Sequence, residues 1–148
     1  MQLINCIANG KQRLIAELQR AKYAVWILAE KMSDKLMQQI LFDKLQSHVN
    51  VEIIIAGKKP DKLGVDIESF ISKGGELFLV PTPTWKCVSP NTFCIIDQQV
   101  VVQSMYGSAY HTNNDFENSI VLTSKKTAKE FTEKYFNIKH NFATIQFN

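Results

Sequence analysis

Residues 92–104 read Thr-Phe-Cys-Ile-Ile-Asp-Gln-Gln-Val-Val-Val-Gln-Ser. Two apolar runs, Thr92 to Ile96 and Val100 to Gln103, flank the polar triplet Asp97-Gln98-Gln99. Apolar runs of strand length on either side of so short a polar step predict two strands joined by a tight turn. Asp97 opens that turn, where aspartate is favoured because its side chain bonds nearby backbone groups.

Upstream, helical and strand patterns alternate. Leu14, Ile15, Leu18 and Ala21 recur at helical spacing and predict a helix over Lys11–Ala21. The unbroken apolar run Tyr23–Ala29 predicts a strand covered on both faces. Ser33 is the expected N-cap of the next helix, with Asp34 in its first turn and Leu36, Met37, Ile40, Leu41 and Leu45 on one stripe ending near His48. Val49–Ala56, closed by Gly57, is a second covered strand, followed by the polar loop Lys58–Gly64. A short helix over Val65–Ser72 should end at Lys73-Gly74-Gly75, before a third strand, Glu76–Val80. Pro81, Pro83 and Pro90 predict an irregular loop. After the hairpin come a Gly/Ser/Asn-rich loop over Ser104–Asp115, a strand over Asn118–Leu122 and a last helix over Thr127–Lys139.

Helix–strand alternation in the first half implies crossover connections, and the later hairpin adds antiparallel strands. The expected architecture is α/β, a mixed β-sheet flanked by helices on both faces, in one domain spanning residues 1–148. With 45% hydrophobic and 21% charged residues the chain has a globular composition, which excludes a disordered one. The formal charge of +3, from 17 basic and 14 acidic residues, permits phosphate contacts without requiring them. Three cysteines without a secretory pattern argue against a disulfide framework and for a cytoplasmic, reducing location. No stretch approaches the roughly 20 apolar residues of a membrane span, so no membrane insertion is expected.

Thr92-Phe-Cys-Ile-Ile-Asp97, Val100-Val-Val-Gln-Ser104 and Asn113-Asn-Asp-Phe-Glu-Asn118 together resemble the phospholipase D-like superfamily of phosphodiesterases and nucleases. The likeness extends over most of the chain, through the opening helix, the strand before Ser33-Asp34 and the Gly74-Gly75 step. That family's motif is His-x-Lys-x4-Asp, then Gly-Ser-x-Asn, then an Asn-x-x-Glu-Asn-like element. The resemblance implies a histidine that attacks phosphorus, a lysine that neutralises the non-bridging oxygens, and a second histidine, from another motif copy, that protonates the leaving group. It implies no metal or other cofactor. It also implies that a chain this short pairs as a homodimer through the active-site face.

Aligned on Asp97, the histidine position holds Pro90 and the lysine position Thr92, while Ser104, Met105 and Gly107 stand where the family has glycine, serine and asparagine. Proline is no nucleophile and threonine carries no charge. The resemblance therefore implies a degenerate, single-motif member acting as a binding or dimerisation module, for nucleic acid, another phosphate-bearing ligand or a protein. Thr92, Ser104, Tyr106 and Asn114 are its candidate ligand-binding residues. The competing reading is an active phosphodiesterase or endonuclease with a rearranged catalytic set of His111, Asp97 and Glu117, in which His111 serves as nucleophile or base. A generic nucleotide-binding module is disfavoured, because no Gly-x-Gly-x-x-Gly or Gly-x4-Gly-Lys-Ser/Thr sequence is present. Cys87 and Cys94 are spaced too widely for a common zinc site, and adding His111 still leaves three ligands without a fourth. His48 and His140 sit near expected helix C-termini, where a cation is welcome. Trp85 and Tyr106 suit either base stacking or core closure. The Lys58–Lys62 loop and Lys125, Lys126, Lys129 and Lys134 could track phosphates, though Asp61, Asp66, Glu130 and Glu133 dilute them.

Overall fold

The computed structural model describes residues 4–7, 10–32, 34–57, 66–88, 92–104 and 119–145. The strands are β1 (Ile4–Ile7), β2 (Ala24–Ala29), β3 (Asn50–Ala56), β4 (Glu76–Val80), β5 (Phe93–Ile96), β6 (Val100–Ser104), β7 (Ser119–Leu122) and β8 (Thr144–Ile145). The helices are α1 (Gly10–Arg20), α2 (Lys35–Gln46), α3 (Ile67–Ser72), α4 (Thr82–Val88) and α5 (Lys125–Phe142). The strands form one mixed sheet in the order β1-β7-β6-β5-β2-β3-β4-β8. β2, β3 and β4 run parallel, while β5 meets β2 antiparallel and carries the β5–β6–β7–β1 half.

Strand alternation divides the core between the two faces of this sheet. Val25, Ile27, Ala29, Val51, Ile53 and Ile55 pack with Leu14 and Leu18 of α1 and Met37 and Leu41 of α2. Trp26, Leu28, Ile54 and Phe93 pack on the opposite side with Ala128, Tyr135 and Ile138 of α5. β2 is buried along its whole length because helices cover both of its faces, which is why it reads as an unbroken apolar run. Each such buried aliphatic side chain contributes about 1.5–3 kcal/mol.

Two local expectations are corrected. The N-cap of α2 is Asp34: its carboxylate accepts from Met37 N–H at 3.0 Å and pairs with Lys11 of α1 at 2.5 Å. Ser33 lies outside the described residues. The proline-rich segment after β4 contains a helix, α4, rather than only an irregular loop. Pro83 stands in its first turn, where a helix needs no N–H, and Trp85 is buried in the α5-side core. The strands β1 and β8 are additions to the expected set. α5 begins at Lys125, after the N-cap Ser124, and outlasts the expected helix to Phe142.

Gly75 follows the left-handed Gly74 (φ 100°) at the start of β4. A β-carbon at Gly75 would stand 2.5 Å from the Phe70 ring, which is 1% exposed and has no room to withdraw. Gly75→Ala is expected to cost about 1–3 kcal/mol in urea unfolding, with α3 displaced from the sheet. An unchanged unfolding midpoint would contradict this packing.

Candidate functional site

The parallel strands β2, β3 and β4 end on one rim of the sheet, and there β5 begins, β6 ends and β7 begins. Register alone builds a row of hydroxyls along it. Ser104 is the partner of Ser119, and one residue beyond the Phe93–Gln103 pair Ser104 N–H donates to the Thr92 carbonyl at 2.9 Å. Residues directly opposite on neighbouring strands share a face. Thr92, Ser104 and Ser119 therefore point the same way, toward the α1/α2 side that Cys94 and Val102 also face. They are 4%, 4% and 1% exposed. Hydroxyls both donate and accept but carry no charge. The row is polar but carries no charge that could neutralise a phosphate oxygen.

Asp97 belongs to the other end of β5. Five residues at about 3.3 Å each separate it from Thr92 by roughly 16 Å. Its carboxylate accepts from three consecutive backbone N–H groups at the entrance to β2: Tyr23 at 2.8 Å and Ala24 at 2.9 Å on Oδ1, and Lys22 at 3.0 Å on Oδ2. Asp97 N–H in turn donates to the Ala24 carbonyl at 2.8 Å. Burial pushes its pKa up, but the N–H groups and the charge of Lys44 outweigh this and hold the carboxyl below its ordinary value. Lys44 itself caps the end of α1, donating to the carbonyls of Gln19 at 2.7 Å and Ala21 at 2.9 Å.

The structure thus joins Thr92 with Ser104 and separates both from Asp97. His111, Glu117, Tyr106 and Asn114 lie outside the described residues, as do Pro90, Met105, Gly107 and the Lys58–Lys62 loop. Trp85 is core rather than an exposed stacking platform. Cys94 is buried, and burial pushes its thiol far up, so it serves as a small apolar residue. Cys87 is exposed on α4. Among the described residues no three His, Cys, Asp or Glu side chains converge as metal ligands. His140 lies against the Phe136 ring, centroid to centroid 5.9 Å.

Two features escaped sequence reasoning. Ser119 completes the hydroxyl row, and only the β6–β7 register brings it there. Glu52 interrupts the apolar run of β3, and that interruption was the available signal. It is 6% exposed, and its Oε1 accepts from Tyr135 Oη at 3.1 Å and Lys139 Nζ at 2.9 Å. Burial and the adjacent Glu52 raise the Tyr135 pKa well above its ordinary value, so that hydroxyl remains a donor. Lys139 also lies over the Phe78 ring at 4.7 Å, which makes the cluster a pin between α5 and the sheet.

Residues 14–139 match the family described as cardiolipin synthase, PLD-like domain. No curated protein matches the chain. Among solved structures it is similar to Nuc, a phospholipase D family member from Salmonella typhimurium, with TM-score 0.74 and 16% identity over 100% of this chain and 99% of that one. It is also similar to NucT from Helicobacter pylori, with TM-score 0.64 and 12% identity over 97% of this chain and 98% of that one. TrmBL2, an archaeal chromatin protein with a novel mode of DNA binding, gives TM-score 0.70 and 14% identity over 96% of this chain and 54% of its own. At these identities the likeness to solved structures is one of fold.

The Asp97 contacts make an acid-sensitive prediction. Because the folded-state pKa is lowered, the stabilisation is present above the unfolded value of about 3.9 and is lost as pH falls through the folded value. Asp97→Asn is expected to lose about 1–3 kcal/mol at neutral pH, since it turns an acceptor into a donor facing N–H groups. Urea unfolding of both proteins should show that deficit shrinking below about pH 4. A deficit of equal size at neutral and acid pH would contradict the charge-based account.

Proposed function

The chain belongs to the PLD-like domain family of cardiolipin synthase type, and from that premise we propose that it is a catalytically degenerate member that binds a phosphate-bearing ligand without cleaving it. The observation that carries the reading is Thr92. At the position where family resemblance implies a lysine, the side chain is neutral, buried and in register with Ser104 and Ser119. Phosphoryl transfer builds charge on the non-bridging oxygens, and a site without a cation there loses its main transition-state stabilisation. Pro90, at the implied histidine position, offers no nucleophile. What remains at this rim is hydrogen-bonding capacity, with Thr92, Ser104, Tyr106 and Asn114 as the ligand-contacting residues.

The ligand class is nucleic acid or another phosphodiester, a reading to which the DNA-binding chromatin protein of similar fold lends support. The module pairs as a homodimer through the face its relatives use for chemistry, and it works in the cytoplasm. No helix among the described residues is long and apolar enough to cross a membrane. The rearranged catalytic set finds no favouring observation, because the Asp97 carboxylate is committed to backbone N–H groups at the opposite end of β5.

Titration of the labelled protein with a thymidylyl dinucleotide, followed by amide NMR, tests the site. Shifts are expected at Ala29, Thr92, Ser104 and Ser119, and the isosteric Thr92→Val should weaken binding about fivefold, the loss of one hydrogen bond. Incubation with bis(p-nitrophenyl) phosphate should release nitrophenol no faster than buffer alone. Turnover that disappears in His111→Ala would overturn the reading and restore an enzyme.

A further inference from the structure

The opposite end of the sheet, where the parallel strands begin, carries a cluster of cations that the hydroxyl-lined rim does not use. Lys22 and Tyr23 immediately precede β2, both exposed, and Tyr23 is 74% exposed. Arg20, the last residue of α1, is 75% exposed and reaches back to Glu17 at 3.3 Å. β7 runs toward this same end, so α5 starts there with Lys125, Lys126 and Lys129, all exposed. Between the two groups stands the β5–β6 turn with exposed Gln98 and Gln99. From β2 across β5 and β6 to β7 there are three strand spacings, roughly 14 Å.

Three properties point to a polyanion that also presents flat rings. First, Lys125 and Lys126 occupy the first turn of α5, which holds no acidic residue, although the helix dipole disfavours cations there. Their placement raises the positive potential of this end and does nothing for the helix. Second, the turn between the lysine groups presents the exposed Gln98 and Gln99 amides, while the charged Asp97 carboxylate turns its oxygens to the N–H groups of residues 22–24. Glu130 and Glu133 stand one helical turn after Lys126 and Lys129 and offset part of their charge. Third, Tyr23 offers an exposed ring beside Lys22, a base-stacking platform next to a phosphate contact. Among the described residues, the other large exposed apolar side chains, Leu36 and Phe142, belong to the opposite end and do not accompany the lysines.

We infer that single-stranded nucleic acid lies across this end of the sheet, its phosphates between Lys22 and the Lys125–Lys129 turn and one base stacked on Tyr23. This surface is separate from the Thr92–Ser104 rim. The test is fluorescence anisotropy with a labelled oligothymidylate of about twenty nucleotides, at about 50 and about 200 mM salt. The variant Lys125→Glu/Lys126→Glu/Lys129→Glu places acids where the dipole favours them, so its melting temperature should hold or rise. It should nonetheless bind about tenfold or more weaker, with the log–log salt slope flattened by about two, three phosphates at 0.7 each. Tyr23→Ala should weaken binding about fivefold or more. The inference is overturned if the triple variant and Tyr23→Ala bind like the parent, or if the parent does not bind the oligonucleotide at all. Loss confined to Thr92→Val also overturns it, while leaving the proposed phosphodiester site standing. Preferential capture on phosphatidylglycerol vesicles, insensitive to Tyr23→Ala, overturns it as well.

Discussion

One carboxylate joins the two halves of this sheet. Asp97 ends β5 and accepts the N–H groups of Lys22, Tyr23 and Ala24, the residues that lead into the central strand β2. The turn that presents it is strained: Asp97 and Gln98 have φ of 53° and 57°, values that non-glycine residues seldom adopt. Three charge-assisted hydrogen bonds of about 1.5–3 kcal/mol each exceed that strain. They also set where the antiparallel hairpin meets the parallel strands, and Lys44, by capping α1 from α2, places both covering helices against the same corner.

Everything at the far rim inherits that position. With Asp97 held at the entrance to β2, Thr92 arrives beside the end of β2, and the ladder then lines up Ser104 and Ser119. A one-residue slip of β5 would exchange Cys94 and Ile96 with Phe93 and Ile95 between the two core faces and carry Thr92 to the α5 side. The Glu52–Tyr135–Lys139 cluster does for α5 what the Asp97 clamp does for the hairpin. A buried carboxylate is tolerated because a cation and a hydroxyl satisfy it; removing Lys139 would leave its charge uncompensated, and removing the Tyr135 hydroxyl would cost it a hydrogen bond.

The segments legible in the sequence were those whose pattern reports burial directly. Ala24–Ala29 and Ile53–Ala56 are apolar without alternation because helices cover both faces, and the stripe through Met37, Ile40, Leu41 and Leu45 is the buried side of α2. Where the pattern failed, a local rule met a stronger tertiary one. Prolines 81 and 83 argued for a loop, yet the first turn of a helix tolerates proline and Trp85 had a core to fill. Four residues in β1 and two in β8 are too few to show a period, and they are strands only because neighbours supply the ladder.

The candidate site divides in the same way. That residue 92 is an uncharged threonine and residue 90 a proline is chemistry of residue type, and the sequence alone determined it, together with the mixed α/β architecture that burial periodicity dictates. Which hydroxyls share a face with Thr92, that Asp97 faces the backbone N–H groups before β2, and that Lys22 and Lys125 occupy one end of the sheet were decided only by tertiary structure. The physical reason is that strand register and direction are long-range quantities. They depend on pairings between residues as far apart as Ala24 and Asp97, and no local pattern encodes them.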